Sequence, residues 1–332
     1  MSKALLLLGA LFVPGAAFAA THCVGNATDL RNALDAAESN SEPDEIRIRP
    51  GVYYGTSSFP FEAIIAEPHG IAIGGGWTGP SSSCLVTTGD ASLTTLDGMN
   101  STTVLRIRLT TQHAVVPITV EGLTLRHGYS PSGFNHYAAG LSISGSSNGA
   151  ANIVVDRIIV EDNTGTNVAP AVGLSSDDGF IRFSNSIVRW NDTQHIGAIN
   201  VLANGGGSAL LGLTVLANTR VSGTGALTWS GTAPGQLVSS LVWGNTSGAD
   251  VLGLADVQYA WVRYGSLTGT PMSTSSNHAV EPAPQLDAMH RPVATSPLRD
   301  VLPAFVGAGA KDVYGQPRKL GSASDIGAAE GI

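Results

Sequence analysis

Apolar residues in this chain come mostly in short stretches that alternate with polar ones, each ended by glycine, proline or asparagine. In "DEIRIRPGVYYG", Ile46 and Ile48 alternate with Arg47 and Arg49 ahead of Pro50-Gly51, as a half-buried strand running into a turn does. "IAIGGGW" (71–77) and "SLTTLDG" (92–98) follow the same outline. One segment has the helical period instead. From Thr28 to Glu38, residues Leu30, Ala33, Leu34 and Ala37 share a face, Asp29 stands in the first turn, and Thr28 or Asn26 can cap it. From residue 104 onward, about 160 residues carry no helical signal.

Within that region the strand pattern repeats. Asn163, Asn191, Asn218 and Asn245 are separated by 28, 27 and 27 residues, and three positions before each stand Val160, Val188, Val215 and Val242. Five positions before stand Ile158, Ser186, Leu213 and Ser240, while an earlier copy, "LTLRHG", puts Leu123, Leu125 and Gly128 in the three places. Arg126, Glu161 and Arg189 take the outward place next to the valine column. Strand units of this length bury their inner faces only against one another, so they must stack. With one unit per turn of a coil, equivalent residues lie about 4.8 Å apart. The valines then line the interior, and the asparagine amides can hydrogen-bond from unit to unit. Asn also tolerates the left-handed backbone that a sharp corner requires. A propeller blade needs about 40 residues per repeat, and a sandwich gives no reason for columns to recur at this period. The pattern predicts an all-β parallel solenoid.

These segments resemble a known group, the secreted right-handed parallel β-helix proteins of bacteria, pectate-lyase-like in fold. Some members repeat F-x-x-N followed by G-G-A-[IL]. Here Val160-Glu161-Asp162-Asn163 and its three later copies match the first part. Gly140-Leu141, Gly173-Leu174, Gly197-Ala198-Ile199 and Gly225-Ala226-Leu227 are similar to the second, with Val in place of the aromatic residue and without the paired glycine. The opening helix, strand and Pro-Gly turn fit the same group. So do "SPLRD", "DVYGQPR" and "DIGAAE", which resemble S-P-x-x-D, D-x-x-G-x-x-R and D-I-G-A-x-E tails. The resemblance implies a right-handed parallel β-helix of roughly eight turns with an N-terminal capping helix. Its expected parts are a signal peptide at 1–19, a cap helix at 20–45, the β-helix at 46–265 and a C-terminal cap or tail at 266–332 that closes the other end. A surface anchor can follow the last motif in larger relatives; only Gly331-Ile332 follow here, so none is expected.

Composition adds the compartment. Met1-Ser2-Lys3, the apolar "ALLLLGALFV" and Ala17-Phe18-Ala19 predict an export signal cleaved before Ala20, and Pro14-Gly15 interrupts the run too early for a membrane span. The two cysteines, Cys23 and Cys84, predict one disulfide in an oxidising compartment, with two buried free thiols as the alternative. Removing Lys3 takes the formal charge from −8 to −9, which excludes the basic stripe nucleic acid demands. The expected protein is an exported monomer without an integral membrane segment, extracellular, on the outer surface or periplasmic.

Candidate chemistry is sparse. Cleaving polysaccharides hydrolytically needs paired carboxylates, and Asp177-Asp178-Gly179 is the one adjacent acidic pair followed by a turn residue in the coil region. With His195 and Arg189 it resembles the order of β-helix polygalacturonases, but Gly-His-Gly and Arg-x-Lys are absent. The plainer reading of Asp177-Asp178-Gly179 is a solvated turn. A lyase would need calcium carboxylates and a basic residue on one face; calcium enters only on that alternative, and otherwise no cofactor or metal is expected. Arg126 and Arg189 share their outward column with Glu161, which a cross-repeat ion pair explains. Trp190 and Trp243, near the asparagine corner, could stack against sugars or pack loops. The leading expectation is therefore a non-catalytic secreted or surface protein contacting polysaccharide. The alternative is a lyase or glycoside hydrolase acting on uronate polymers.

Overall fold

The computed structural model describes residues 20–331 except 57–58, 81–82, 111–114, 132–137, 146–149, 167–168, 195, 221–225, 247–249, 263–266, 269–277, 280–282 and 303–309. Residues 1–19, the expected signal segment, and His195 lie outside the described residues. The valine column forms as the repeat predicts: Leu125, Val160, Val188, Val215, Val242 and Val262 pair in that order across adjacent parallel strands, each at most 2% exposed. Burying each such side chain stabilises the fold by roughly 1.5–3 kcal/mol relative to exposure. A second column, Leu105, Leu141, Val172, Ile199 and Leu227, is in register and equally buried.

Among the described residues the strands form parallel sheets of 16, 8 and 4 strands, plus one antiparallel pair, Trp77–Thr78 with Val86–Thr87. The chain visits them in turn. Ala150–Glu161 lies in the long sheet, Thr164–Gly165 in the four-stranded sheet and Val172–Ser176 in the eight-stranded sheet. Ile181–Ser184 then returns to the long sheet against Ile153–Asp156, one strand further along. This mostly-β path through long parallel sheets is compatible with a solenoid.

The asparagines occupy the bend between the long and four-stranded sheets, each at most 4% exposed. Asn163, Asn191 and Asn218 each donate Nδ2–H to Oδ1 of the next asparagine at 2.9 Å. Each of those Oδ1 atoms also accepts the preceding asparagine's backbone N–H, at 3.0–3.1 Å. Backward bonds run from Nδ2 of Asn191 to Val160 O and of Asn218 to Val188 O, at 3.0 and 2.9 Å. Gly128 ends the row by donating its N–H to Asn163 Oδ1 at 2.7 Å. A Cβ there would meet Ala139 O at 2.0 Å, so an asparagine cannot take that place.

Two sequence expectations need correction. The left-handed residue of this corner is the one before the asparagine: His127, Asp162, Trp190, Ala217 and Gly244 have φ between 52° and 65°. The asparagine's side chain must point inward to bond both neighbours, so the bend is made one residue earlier. Gly173 also belongs to a different column from the other glycines. Val172, not Leu174, pairs with Leu141 and Ile199, so Ala171 is the equivalent of Gly140, and Gly173 pairs with Ser142 and Asn200 on the outward face.

The helix spans Ala27–Ala37, with Asn26 as cap: its Oδ1 accepts from Thr28 N and Asp29 N at 3.0 and 2.9 Å. Leu30, Ala33 and Leu34 join the main core. Ala20–Val24 precedes it as a strand paired with Asp44–Ile48, so 20–45 is not a separate helical unit. A Cys23–Cys84 disulfide links that first strand to the loop that joins the two strands of the antiparallel pair.

The tail differs most from expectation. Leu267–Thr268 and His278–Ala279 add one strand each to the eight-stranded and long sheets, whereas later residues of the tail lie against the outward side of the long sheet. The outward column there is Thr95, Thr124, Ile159, Ile187, Thr214, Leu241 and Trp261, in register. Val313, Tyr314, Ala328 and Ala329 pack on Ala91, Ile159 and Ile187, while Leu298, Leu302 and Ile326 pack on Leu241 and Trp261. Apolar residues on both faces of a strand require a cover on both sides, and the tail is the outer one.

Candidate functional site

The corner column carries one side chain out of keeping with its place. Trp190 stands at φ 56° and remains 46% exposed. Left-handed backbone suits His127, Asp162 and Gly244 in the equivalent places far better than a bulky indole, and such outliers concentrate where a side chain must be presented.

The strand Ile187–Arg189 leads into that corner, with Ile187 held under the tail and Val188 in the core. Arg189 therefore faces outward. Its Nε and Nη2 both donate to Glu161 Oε2, at 2.8 and 2.6 Å, across one repeat. Its guanidinium carbon lies 4.2 Å from the centroid of the Trp190 ring. The remaining Nη1 donates to Nδ1 of His290 at 2.5 Å. Burial, with the Arg189 charge beside it, pulls His290 down to about 4, so the imidazole is neutral and its Nδ1 accepts. The His290 ring meets Trp190 edge-on, with centroids 5.3 Å apart and planes at 71°.

The tail positions His290. Asp287 Oδ1 accepts from the N–H of Met289 and Arg291, at 2.8 and 2.9 Å, and Asp287 O accepts from His290 N at 3.0 Å. Tyr314 donates its hydroxyl to Met289 O at 2.7 Å, while Arg291 lies 4.8 Å from the Tyr314 ring. Trp190 is thus braced on two sides by residues 101 positions apart in sequence. The Arg189–Glu161 pairing follows from their shared outward column; His290 had no signal in the repeat, because it comes from outside it.

The row continues backward as alternating charge. Arg126 Nε and His127 Nδ1 both contact Asp97 Oδ2, at 3.1 and 3.0 Å. Burial raises Asp97, but its bonds from Met99 N–H, His127 and Arg126 outweigh that and hold it below the usual carboxylate value. Burial and neighbouring Glu161 push Asp162 up.

Asp177 and Asp178 lie elsewhere, in the turn between Val172–Ser176 and Ile181–Ser184. Asp178 is exposed and its Oδ1 accepts from Gly179 N at 2.9 Å; Asp177 Oδ1 accepts from Asn204 Nδ2 at 2.9 Å, one repeat on. Arg189 is engaged by Glu161 and His290 on the long sheet. Trp243 is in the column of Arg189 and Leu216, one place from that of Trp190, and is half-buried against the cluster that contains Leu241, Leu298 and Ile326. Trp243 is thus less exposed than Trp190.

Two open concavities lie away from this ledge. One, of about 380 Å³, lies beside the helix between Arg31, Glu38, Phe59 and Glu62, where Glu38 Oε1 accepts Ile64 N at 2.7 Å. The other, of about 220 Å³, lies on the eight-stranded sheet between Ser144, Ser175, Asn200 and Pro170. Among the described residues no three His, Cys, Asp or Glu side chains gather as a metal would need, and no helix is long and apolar enough to cross a membrane. Comparison of the chain with protein-family models, curated proteins and solved structures finds no match.

Proposed function

We propose that this is an exported right-handed parallel β-helix, capped at one end by the helix Ala27–Ala37, that contacts polysaccharide through Trp190 without catalysing its cleavage. Right-handedness follows the rule for crossovers between parallel strands, which holds in about 98% of cases. Export is supported by the signal-like pattern of the first nineteen residues and by the Cys23–Cys84 disulfide. The observation that carries the binding reading is the braced indole: 46% exposed, in a left-handed conformation, fixed by Arg189 and His290. An aromatic face already immobilised loses little entropy when a sugar ring stacks on it.

The test is binding of the mature chain to a panel of soluble polysaccharides by affinity electrophoresis and tryptophan fluorescence. Trp190→Ala is expected to weaken retention about 5- to 150-fold, the effect of losing one stacking contact of about 1–3 kcal/mol by analogy with base stacking. Asp177→Asn/Asp178→Asn is expected to leave binding unchanged. Polymer cleavage that this double variant abolishes would overturn the reading in favour of a hydrolase or lyase.

A further inference from the structure

The groups around Trp190 limit which sugars it can hold. Asp162 occupies the equivalent corner place in the preceding repeat, about 4.8 Å away along the stack. Asp192, two residues beyond Trp190, begins the strand Asp192–Thr193 in the four-stranded sheet. Both aspartates are exposed. Asp192 Oδ1 accepts from Thr219 Oγ1 at 3.1 Å, which fixes that carboxylate on the same corner. The nearby cations are already matched. Arg189 is paired with Glu161, and Arg126 with Asp97. His290 is neutral and turned toward Arg189. The ledge therefore offers an apolar ring flanked by two acceptor carboxylates, on a chain whose formal charge is −8.

Resting on the reading of Trp190 as a glycan contact, we infer that its ligand is a glycan without acidic groups, and that uronate polymers are rejected. A neutral sugar places its C–H face on the indole while its hydroxyls donate to Asp162 and Asp192, groups that only accept when ionised. A polyuronate brings a carboxylate per residue to the same two oxygens. That repulsion acts within one Debye length, about 8 Å at physiological salt, and lengthens as salt is lowered.

The experiment compares the mature chain with a neutral β-glucan, a galactomannan and polygalacturonate, at 20 mM and 150 mM salt. At low salt at least one neutral polymer is expected to bind about tenfold or more tightly than polygalacturonate, and the gap is expected to narrow at higher salt. Trp190→Ala should abolish the neutral binding with circular dichroism unchanged. Asp162→Asn/Asp192→Asn should shrink the neutral-to-uronate ratio at least about threefold, a ratio that general loss of folded protein does not alter. Trp190-dependent binding that favours polygalacturonate would overturn this inference while leaving the glycan reading intact. Absence of any Trp190-dependent binding would remove both.

Discussion

Thr214 accepts, through its side-chain Oγ1, a hydrogen bond from the backbone N–H of Ala328 at 2.9 Å, across 114 residues of sequence. Ile187 and Leu241 flank it in the same outward column, so a hydroxyl between two apolar neighbours bonds the docked tail. Replacing it with the isosteric valine leaves Ala328 N buried and unpaired. Thr214→Val is expected to cost about 1–3 kcal/mol in urea unfolding, despite raising the hydrophobicity of the site.

Asn191 accepts from Asn163 and donates to Asn218 and to Val160 O, so its removal unpairs groups on both neighbouring repeats. Asn191→Ala should destabilise by about 3 kcal/mol or more, since each buried orphan group costs about 1–3 kcal/mol. Asn191→Asp should fare no better, because a carboxylate cannot donate to Asn218 Oδ1. Chemical denaturation of the two variants checks this.

Ala217 holds φ 52° without the excuse of a glycine or a short polar side chain. Left-handed backbone costs an L-residue about 1–2 kcal/mol, against 0.5–1 kcal/mol for the extra freedom of unfolded glycine. Ala217→Gly should therefore stabilise the protein by up to about 1 kcal/mol, read as a higher denaturation midpoint, whereas Ala217→Val should lower it.

Burial pushes the Glu330 carboxyl up to about 8 from its ordinary 4.5, against the pull of Arg318 at 3.4 Å. Between those values the folded chain holds a proton that the unfolded chain has lost. This contribution is complete below pH 4.5 and fades as pH rises through 8. Stability is expected to fall from pH 6.5 to pH 8.5, and Glu330→Gln, which stays neutral, should flatten that fall. His290, depressed from 6.5 to about 4, acts oppositely and only below pH 6.5, so it leaves this interval undisturbed.

The Cys23–Cys84 disulfide spans a sequence separation of 61 residues. Its reduction, or Cys23→Ser/Cys84→Ser, should cost about 2–4 kcal/mol. The loss is expected in the global unfolding transition, because Val24 in the first strand belongs to the same core as the central repeats.

The parts of the fold legible in the sequence were those where one residue type satisfies one constraint. A side-chain amide can both donate and accept along the corner row, and branched aliphatic side chains, mostly valine, fill the inner column, so Asn and Val recur visibly. The left-handed corner was not legible, because His127, Asp162, Trp190, Ala217 and Gly244 share a dihedral angle and no chemistry. The tail's docking side left a trace that alternation alone overlooks. Ile158-Ile159-Val160, Ile187-Val188 and Leu241-Val242 place apolar residues on both faces of a strand, which demands a second cover. At the candidate site, the pairing of Arg189 with Glu161 could be read from the shared column. His290 could not, since it reaches Trp190 from a segment outside the repeat.

A stack whose units touch only their neighbours gains stability one unit at a time and can fray from either end. Here the tail runs lengthwise, from Lys311 on Thr88 O at 3.2 Å, through Thr214, to Leu302 beside Trp261. Its described residues bind earlier and later strands of the long sheet through two apolar clusters. Opening any intermediate turn then strips part of that contact, so the turns are coupled at a distance and the molecule behaves less like a stack of coins than like one laced along its seam. The residues that complete that lacing follow the repeats in the chain, and until they are made the outward row of Ile159, Ile187 and Leu241 has no cover of its own.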